Sequence, residues 1–265
     1  MKHLPEIHAV WVGSVLGPVE RACLTSFVRH GHRVTLHCYG NLEGVPKGIG
    51  LSDGEKILPA SEIFRHRETS SLGMFADIFR YELFAQKPGS IYVDCDVYCL
   101  KPIEASGYLY GLEDAKVNGA VLALPADSDV LKELREMRFN GHKRWEWERR
   151  WPFAPLRLHR HFRRSQNPLS DKLWALTGPF ALSHMTKKHK VKHLAKPAEW
   201  FYPVHFRDVA KLFIPGMSFE DVASTETRCI HLYNETFKAK GLNPLKAPAT
   251  SIIGKILASN SVLES

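Results

Sequence analysis

An α/β fold, a mixed sheet flanked by helices, is what three features of the sequence predict. The chain opens on an apolar stretch from Ile7 to Gly13, an amphipathic segment from Pro18 to about His30, and an alternating stretch from Arg33 to Tyr39. These read as strand, helix and parallel strand. A second helix-to-strand unit spans Ser71 to Val93 and runs into Asp94-Cys95-Asp96. With 265 residues, 44% of them hydrophobic, the chain suits one domain with a sizeable core.

Taken in order, Gly31 closes the first helix. No GxGxxG follows the first strand, so dinucleotide binding on a glycine turn is not expected. Residues 40 to 70, rich in Gly, Pro and charge, read as a loop with a short strand near Lys56-Ile57-Leu58. Phe75, Ile78, Phe79 and Leu83 fall at helical spacing; Ser70 or Ser71 can cap that helix and Lys87-Pro88-Gly89 ends it. The β-branched and aromatic run Ser90-Ile91-Tyr92-Val93 is a buried strand, and Val97 to Leu100 continues as strand. Two more strands are predicted at Tyr108 to Leu112 and Gly119 to Leu124, and a helix over Asp129 to Phe139. A helix starts near Leu173 and runs to about Lys190, Trp200 to Val204 reads as a strand or extended edge, and Cys229 to Asn234 as a strand ending in polar residues. The tail from Ser251 to Leu263 reads as a short amphipathic helix.

The net charge of +8 is unevenly spread. Between Leu131 and Arg164 stand eleven Lys or Arg and four Glu, so that segment carries +7 and the rest of the chain about +1. Trp145, Trp147, Trp151, Phe153 and Phe162 are interleaved with those charges. A solvated insertion and a surface that docks on an anionic membrane both fit this pattern. No nucleic-acid module signature accompanies it, so no nucleic-acid partner is expected. The five cysteines, Cys23, Cys38, Cys95, Cys99 and Cys229, are odd in number, are not at metal-ligand spacing and read as buried thiols of a reducing compartment. With no amino-terminal apolar core and no run of about eighteen apolar residues, a cytoplasmic protein is expected.

The acidic pair carries the chemistry. Side chains alternate along a strand, so Asp94 and Asp96 project together while Cys95 turns inward. Two adjacent carboxylates raise each other's pKa unless a cation lies between them, and oxygen ligands suit Mg²⁺ or Mn²⁺. Acidic residues at the carboxyl end of a buried strand also stand where open α/β sheets bind ligands. On the preceding helix Asp77 and Arg80 are three apart and share a face. They are either a surface ion pair or a carboxylate for sugar hydroxyls beside a guanidinium for phosphate.

The stretch Ser71-Leu-Gly-Met-Phe-Ala-Asp77-Ile-Phe-Arg80-Tyr81, then Gly89 to Val97 and Pro102, resembles the sugar-binding region of DXD-type GT-A glycosyltransferases of the OCH1-like and capsular-polysaccharide group, with more distant similarity to clostridial glucosylating toxins. The match covers about thirty residues, with weaker echoes from residue 7 to about residue 235. It implies a GT-A fold over the whole chain: residues 1–125 as the nucleotide-sugar half, and 126–265 as the acceptor half with a basic helical insertion at about 131–170. It implies a retaining, metal-dependent transfer from a UDP- or GDP-sugar to a glycan or lipid-linked acceptor. Trp11, Val12 and Gly13 would then line the base pocket, Asp77 and Arg80 would hold the donor sugar and phosphates, and Thr177-Gly178-Pro179 would border the sugar. Asp94, Asp96 and a late histidine, His231, would bind Mn²⁺ or Mg²⁺, with Asp94 able to touch ribose or sugar instead. The basic segment 131–164 would rest on the inner face of the membrane beside the acceptor. A HAD-type phosphatase also ends a strand in Asp-x-Asp, but it wants Thr or Val where this chain has Tyr98. A non-catalytic membrane- or glycan-binding protein on a degenerate GT-A core is the remaining alternative.

Overall fold

The computed structural model describes residues 3–150 and 167–259. Its centre is a six-stranded sheet. Strand β1 (Ile7–Trp11) leads into helix α1 (Pro18–Arg29), β2 (Val34–Cys38) and the edge strand β3 (Ile49–Asp53). Helix α2 (Gly73–Gln86) precedes β4 (Ile91–Val93), and β5 (Val97–Cys99) follows directly. The hairpin β6 (Leu109–Glu113) and β7 (Lys116–Ala123) turns through Asp114 and Ala115, both at positive φ as a tight hairpin turn requires. Helices α3 (Asp129–Glu136) and α4 (Ala181–Lys188), strand β8 (Cys229–His231), and helices α5 (Asn234–Ala239) and α6 (Ile252–Ala258) complete the described elements.

The strand order is β3-β2-β1-β4-β7-β6. The first four strands are parallel, and β7 and β6 are added antiparallel, giving the mixed sheet the sequence predicts. Alternation along the strands sorts the core into two layers. Val10, Tyr92 and Leu122 face α2, α3 and α4, while Ala9, Ile91, Val93 and Val121 face α1. A third cluster joins the outer face of α1 to β8, α5 and α6 through Ala22, Ile230, Phe237 and Ile253. No helix among the described residues is long and apolar enough to cross a membrane.

Four expectations about local structure are corrected. The strand in the 40–70 region is Ile49–Asp53, and Gly54–Lys56 is a single 3₁₀ turn. An edge strand with Leu51 half exposed to solvent carries no apolar run to announce it, whereas Ile57 and Leu58 are apolar because they are buried in the core cluster that includes the α2 residues Phe75 and Phe79. The segment from Trp200 to Val204 is not a strand: Ala198–Trp200 is a 3₁₀ turn, and Phe201 and Tyr202 fill core space under β6, where Gly111 leaves room for their rings. Strand β5 does not extend the main sheet but pairs antiparallel with β8 in a separate two-stranded sheet. Finally, the helix expected from Leu173 begins at Ala181, behind a wide turn over Leu176–Phe180.

In the basic segment, Glu146–Arg150 is a 3₁₀ helix. Trp145 is buried, stacked on Trp147 at 5.2 Å, with the Lys172 ammonium 4.3 Å from its ring. Trp151, Phe153, Phe162 and the basic residues from 157 to 164 lie outside the described residues, as does the end of the predicted tail helix beyond Ser259.

Candidate active site

The parallel strands β1 and β4 end at one mouth of the sheet, and the chain there borders a cleft of about 940 Å³. Asp94 leaves β4 with its backbone N–H on Ala120 O at 2.9 Å, so β7 fixes where the acidic pair begins. Asp96 enters β5, and β8 brings His231 alongside, one ligand atom from each of Asp94, Asp96 and His231 lying within 4.8 Å of the others. His231 Nε2 stands 3.2 Å from Asp96 Oδ1. The two aspartates do project together and Cys95 does turn inward, its thiol against Val10 O.

Burial would push the Asp96 carboxyl up, but the His231 charge and hydrogen bond, with the Asn234 backbone N–H at 2.8 Å from Oδ2, outweigh it and hold Asp96 low. Burial would pull His231 down, and the Asp96 charge overrides that and raises it. For Asp94, burial raises the pKa, Arg80 pulls it back, and the Asp96 charge leaves the balance upward. Asp94 is thus shared between the Arg80 guanidinium and the Asp96–His231 pair, and the three side chains together offer two carboxylates and an imidazole, a donor set that suits a divalent cation.

Helix α2 supplies the second layer. Arg80 Nη2 lies 3.0 Å from Asp94 Oδ1 and 3.4 Å from Asp77 Oδ1, its Nη1 donates to Gly119 O, and its guanidinium sits 4.4 Å from the Tyr92 ring centre. Asp77 and Arg80 are thus buried and not a surface ion pair. Thr177 donates its hydroxyl to Asp77 Oδ2 at 2.8 Å, and Tyr81 donates to Thr177 O at 2.8 Å, so the wide turn is bolted onto α2. A Cβ on Gly178 would come within 2.7 Å of Asp77 Oδ2, which accounts for glycine there. Burial raises Asp77 to about 6 against the pull of Arg80 and Thr177.

Of the residues expected to hold a base, Trp11 and Val12 line the cleft. Gly13 is not among its lining residues; it makes room for the indole, whose Nε1 donates to Val15 O at 3.1 Å. Lys238 also borders the cleft and pairs with Glu235 at 2.7 Å. Sequence reasoning missed Glu20 and Asn234. Asn234 donates Nδ2 to Glu20 Oε1 at 2.7 Å, and its Oδ1 and the His231 Nδ1 are buried without a hydrogen-bond partner among the described residues. Nothing in the sequence pairs residues 20 and 234; only the packing of α1 against β8 and α5 does.

A half-buried carboxylate–imidazole cluster with an arginine behind it, open to a deep cleft, therefore stands at the carboxyl end of parallel strands, where open α/β sheets bind their ligands. The ligand-free glycosyltransferase domain of the YGT toxin has this fold: it matches with a TM-score of 0.50 over 97% of this chain and 99% of that one, at 8% identity. PaToxG glycosyltransferase matches with a TM-score of 0.47 over 70% and 69%, at 13% identity. No family model matches the chain, and no curated protein matches it in sequence.

Proposed function

We propose that the protein transfers a glycosyl unit from a UDP- or GDP-sugar to a glycan or lipid-linked acceptor, as in polysaccharide synthesis, with Mn²⁺ or Mg²⁺ held by Asp94, Asp96 and His231. The observation that carries this reading is the convergence of two carboxylates and an imidazole within 4.8 Å in a cleft of nucleotide-sugar size. The YGT toxin domain, a glycosyltransferase of the same fold, supports it. The donor set fits the ion: hard oxygens and one imidazole suit Mn²⁺ or Mg²⁺, and the imidazole's buried Nδ1 has no hydrogen-bond partner among the described residues. Bound there, the cation supplies positive charge to the diphosphate leaving group.

The protein's own groups do the rest. Asp96 stays ionised through its bond from Asn234, and His231 gives up its proton to present Nε2. Asp77, held by Thr177, hydrogen-bonds a donor-sugar hydroxyl, and Arg80 orients the ring and neutralises phosphate charge. Trp11 and Val12 flank the base, with Gly13 behind the indole. Transfer with retention then proceeds by attack on the donor's front face, the acceptor proton passing to the departing phosphate. In this reading residues 1–125 form the donor half and 126–265 the acceptor half. Trp174, 41% exposed on the cleft wall, offers an aromatic surface that suits a sugar ring. Contact with an anionic membrane at residues 131–164 falls to exposed groups such as Lys143 and Arg144, since Trp145 is packed inside.

Incubation with a panel of UDP- and GDP-sugars and Mn²⁺, followed by assay of released sugar, tests the reading. Slow hydrolysis of at least one donor is expected, abolished by EDTA and by Asp96→Asn. Release from no donor, or release indifferent to both treatments, would rule it out.

A further inference from the structure

None of the five thiols takes part in the proposed chemistry, yet two of them are placed as a pair. Cys99 on β5 is the register partner of Cys229 on β8. The hydrogen-bond phase of the ladder fixes the kind of rung. Leu232 donates to Asp96 O at 2.9 Å and Leu100 to Arg228 O at 2.8 Å, so those two rungs are the hydrogen-bonded ones. By alternation, Cys99/Cys229 and Val97/His231 are non-hydrogen-bonded. In agreement, the Cys99 N–H points away from β8 and donates to Ser26 Oγ at 2.7 Å. Partner Cα atoms in such rungs approach to about 4.5 Å with their side chains on one face, inside the roughly 4.4–6.8 Å that a disulfide spans but at its short end.

We propose that Cys99 and Cys229 form a redox-active pair that closes to a cross-strand disulfide under oxidising conditions and displaces the ladder bearing Asp96 and His231. With a small-molecule disulfide such as oxidised glutathione, one protein thiolate attacks the glutathione S–S bond and releases one glutathione; the second protein sulfur then displaces the other. One protein S–S bond forms, one glutathione S–S bond breaks, and two protons and two electrons end on two glutathiones. Both thiols are buried, so exchange runs through opening of the short β5–β8 ladder and is slow in the closed fold. His231 lies two residues beyond Cys229 on the same strand face, one side-chain layer of about 6–7 Å away. A disulfide prefers a Cα separation of about 5.5–6 Å, so closure spreads the ladder at the Cys99/Cys229 rung, two rungs from that of His231. Loss of cation grip on closure is the consequence, and that part alone rests on the metal reading above.

The test incubates the full chain across glutathione buffers from reducing to oxidising, then unfolds it in N-ethylmaleimide and maps the peptides. At the oxidising end, two of the five thiols are expected to escape alkylation, joined as Cys99–Cys229. Cys99→Ala and Cys229→Ala, each made so that one folded variant suffices, should keep all their remaining thiols alkylatable. Calorimetry with Mn²⁺ alone should show several-fold weaker binding by the oxidised form, restored by reductant. Five alkylatable thiols throughout, or a bond through Cys23, Cys38 or Cys95, overturns the pair. A Cys99–Cys229 bond with unchanged Mn²⁺ affinity overturns the displacement of the ladder. Mapped pairing with no Mn²⁺ binding in either state upholds the pair and refutes the metal reading instead.

Discussion

Asp77 shows how much one side chain's surroundings decide. Almost wholly buried, it meets Arg80 and the Thr177 hydroxyl, yet burial keeps its pKa at about 6. Because that value lies above the ordinary carboxylate range of about 4, the folded protein binds this proton more tightly than the unfolded chain does. Stability carried by Asp77 is therefore full at low pH and falls as the pH rises between about 4 and 6, by up to about 3 kcal/mol. Urea denaturation of the wild type and Asp77→Asn across that window should show their difference growing in favour of the variant as the pH rises. A difference that shrinks, or stays constant, would mean that Arg80 and not burial governs the group. Spacing alone brought Asp77 and Arg80 to one helix face, and it also fixed the shared direction of Asp94 and Asp96. Whether the first pair was a surface contact or a site could not be read there, because that depends on Thr177 and Gly119, a hundred and about forty residues away.

At the scale of elements, strands that are buried on both faces announced themselves. Ile91-Tyr92-Val93 and, His8 apart, Ile7 to Val10 are apolar because helices cover both faces of the sheet. Edge and irregular segments did not: β3 shows one face to water, and Phe201 and Tyr202 are aromatic for packing, not for pairing. The wide turn at Leu176–Phe180 breaks the expected helix at Gly178, whose φ of −100° and ψ of −107° are non-helical, and a Cβ on that backbone would meet the Asp77 carboxylate. Gly178→Ala should accordingly break the Thr177–Asp77 contact and cost about 1–3 kcal/mol, as overpacking does. Thermal unfolding of the variant checks this. A Tm equal to that of the wild type would show that the turn has slack the close approach excludes.

Over the whole molecule, the site joins α1, α2, the end of β4, β5, the wide turn and the β8–α5 junction, elements separated by more than two hundred residues. The six-stranded sheet was legible from its βαβ opening, but the separate β5–β8 sheet was not, since a three-residue ladder leaves no periodicity. That small sheet nevertheless completes the proposed metal site, because it carries His231 to Asp96. The most direct measurement of the account is calorimetric titration of UDP and GDP with and without Mn²⁺, in wild type and Asp96→Asn. The account predicts that one nucleotide binds the wild type at least about tenfold more tightly with Mn²⁺, a gain of about 1.4 kcal/mol or more, and that Asp96→Asn loses the gain. Nucleotide affinity that is absent, or is the same with and without the ion, would contradict it.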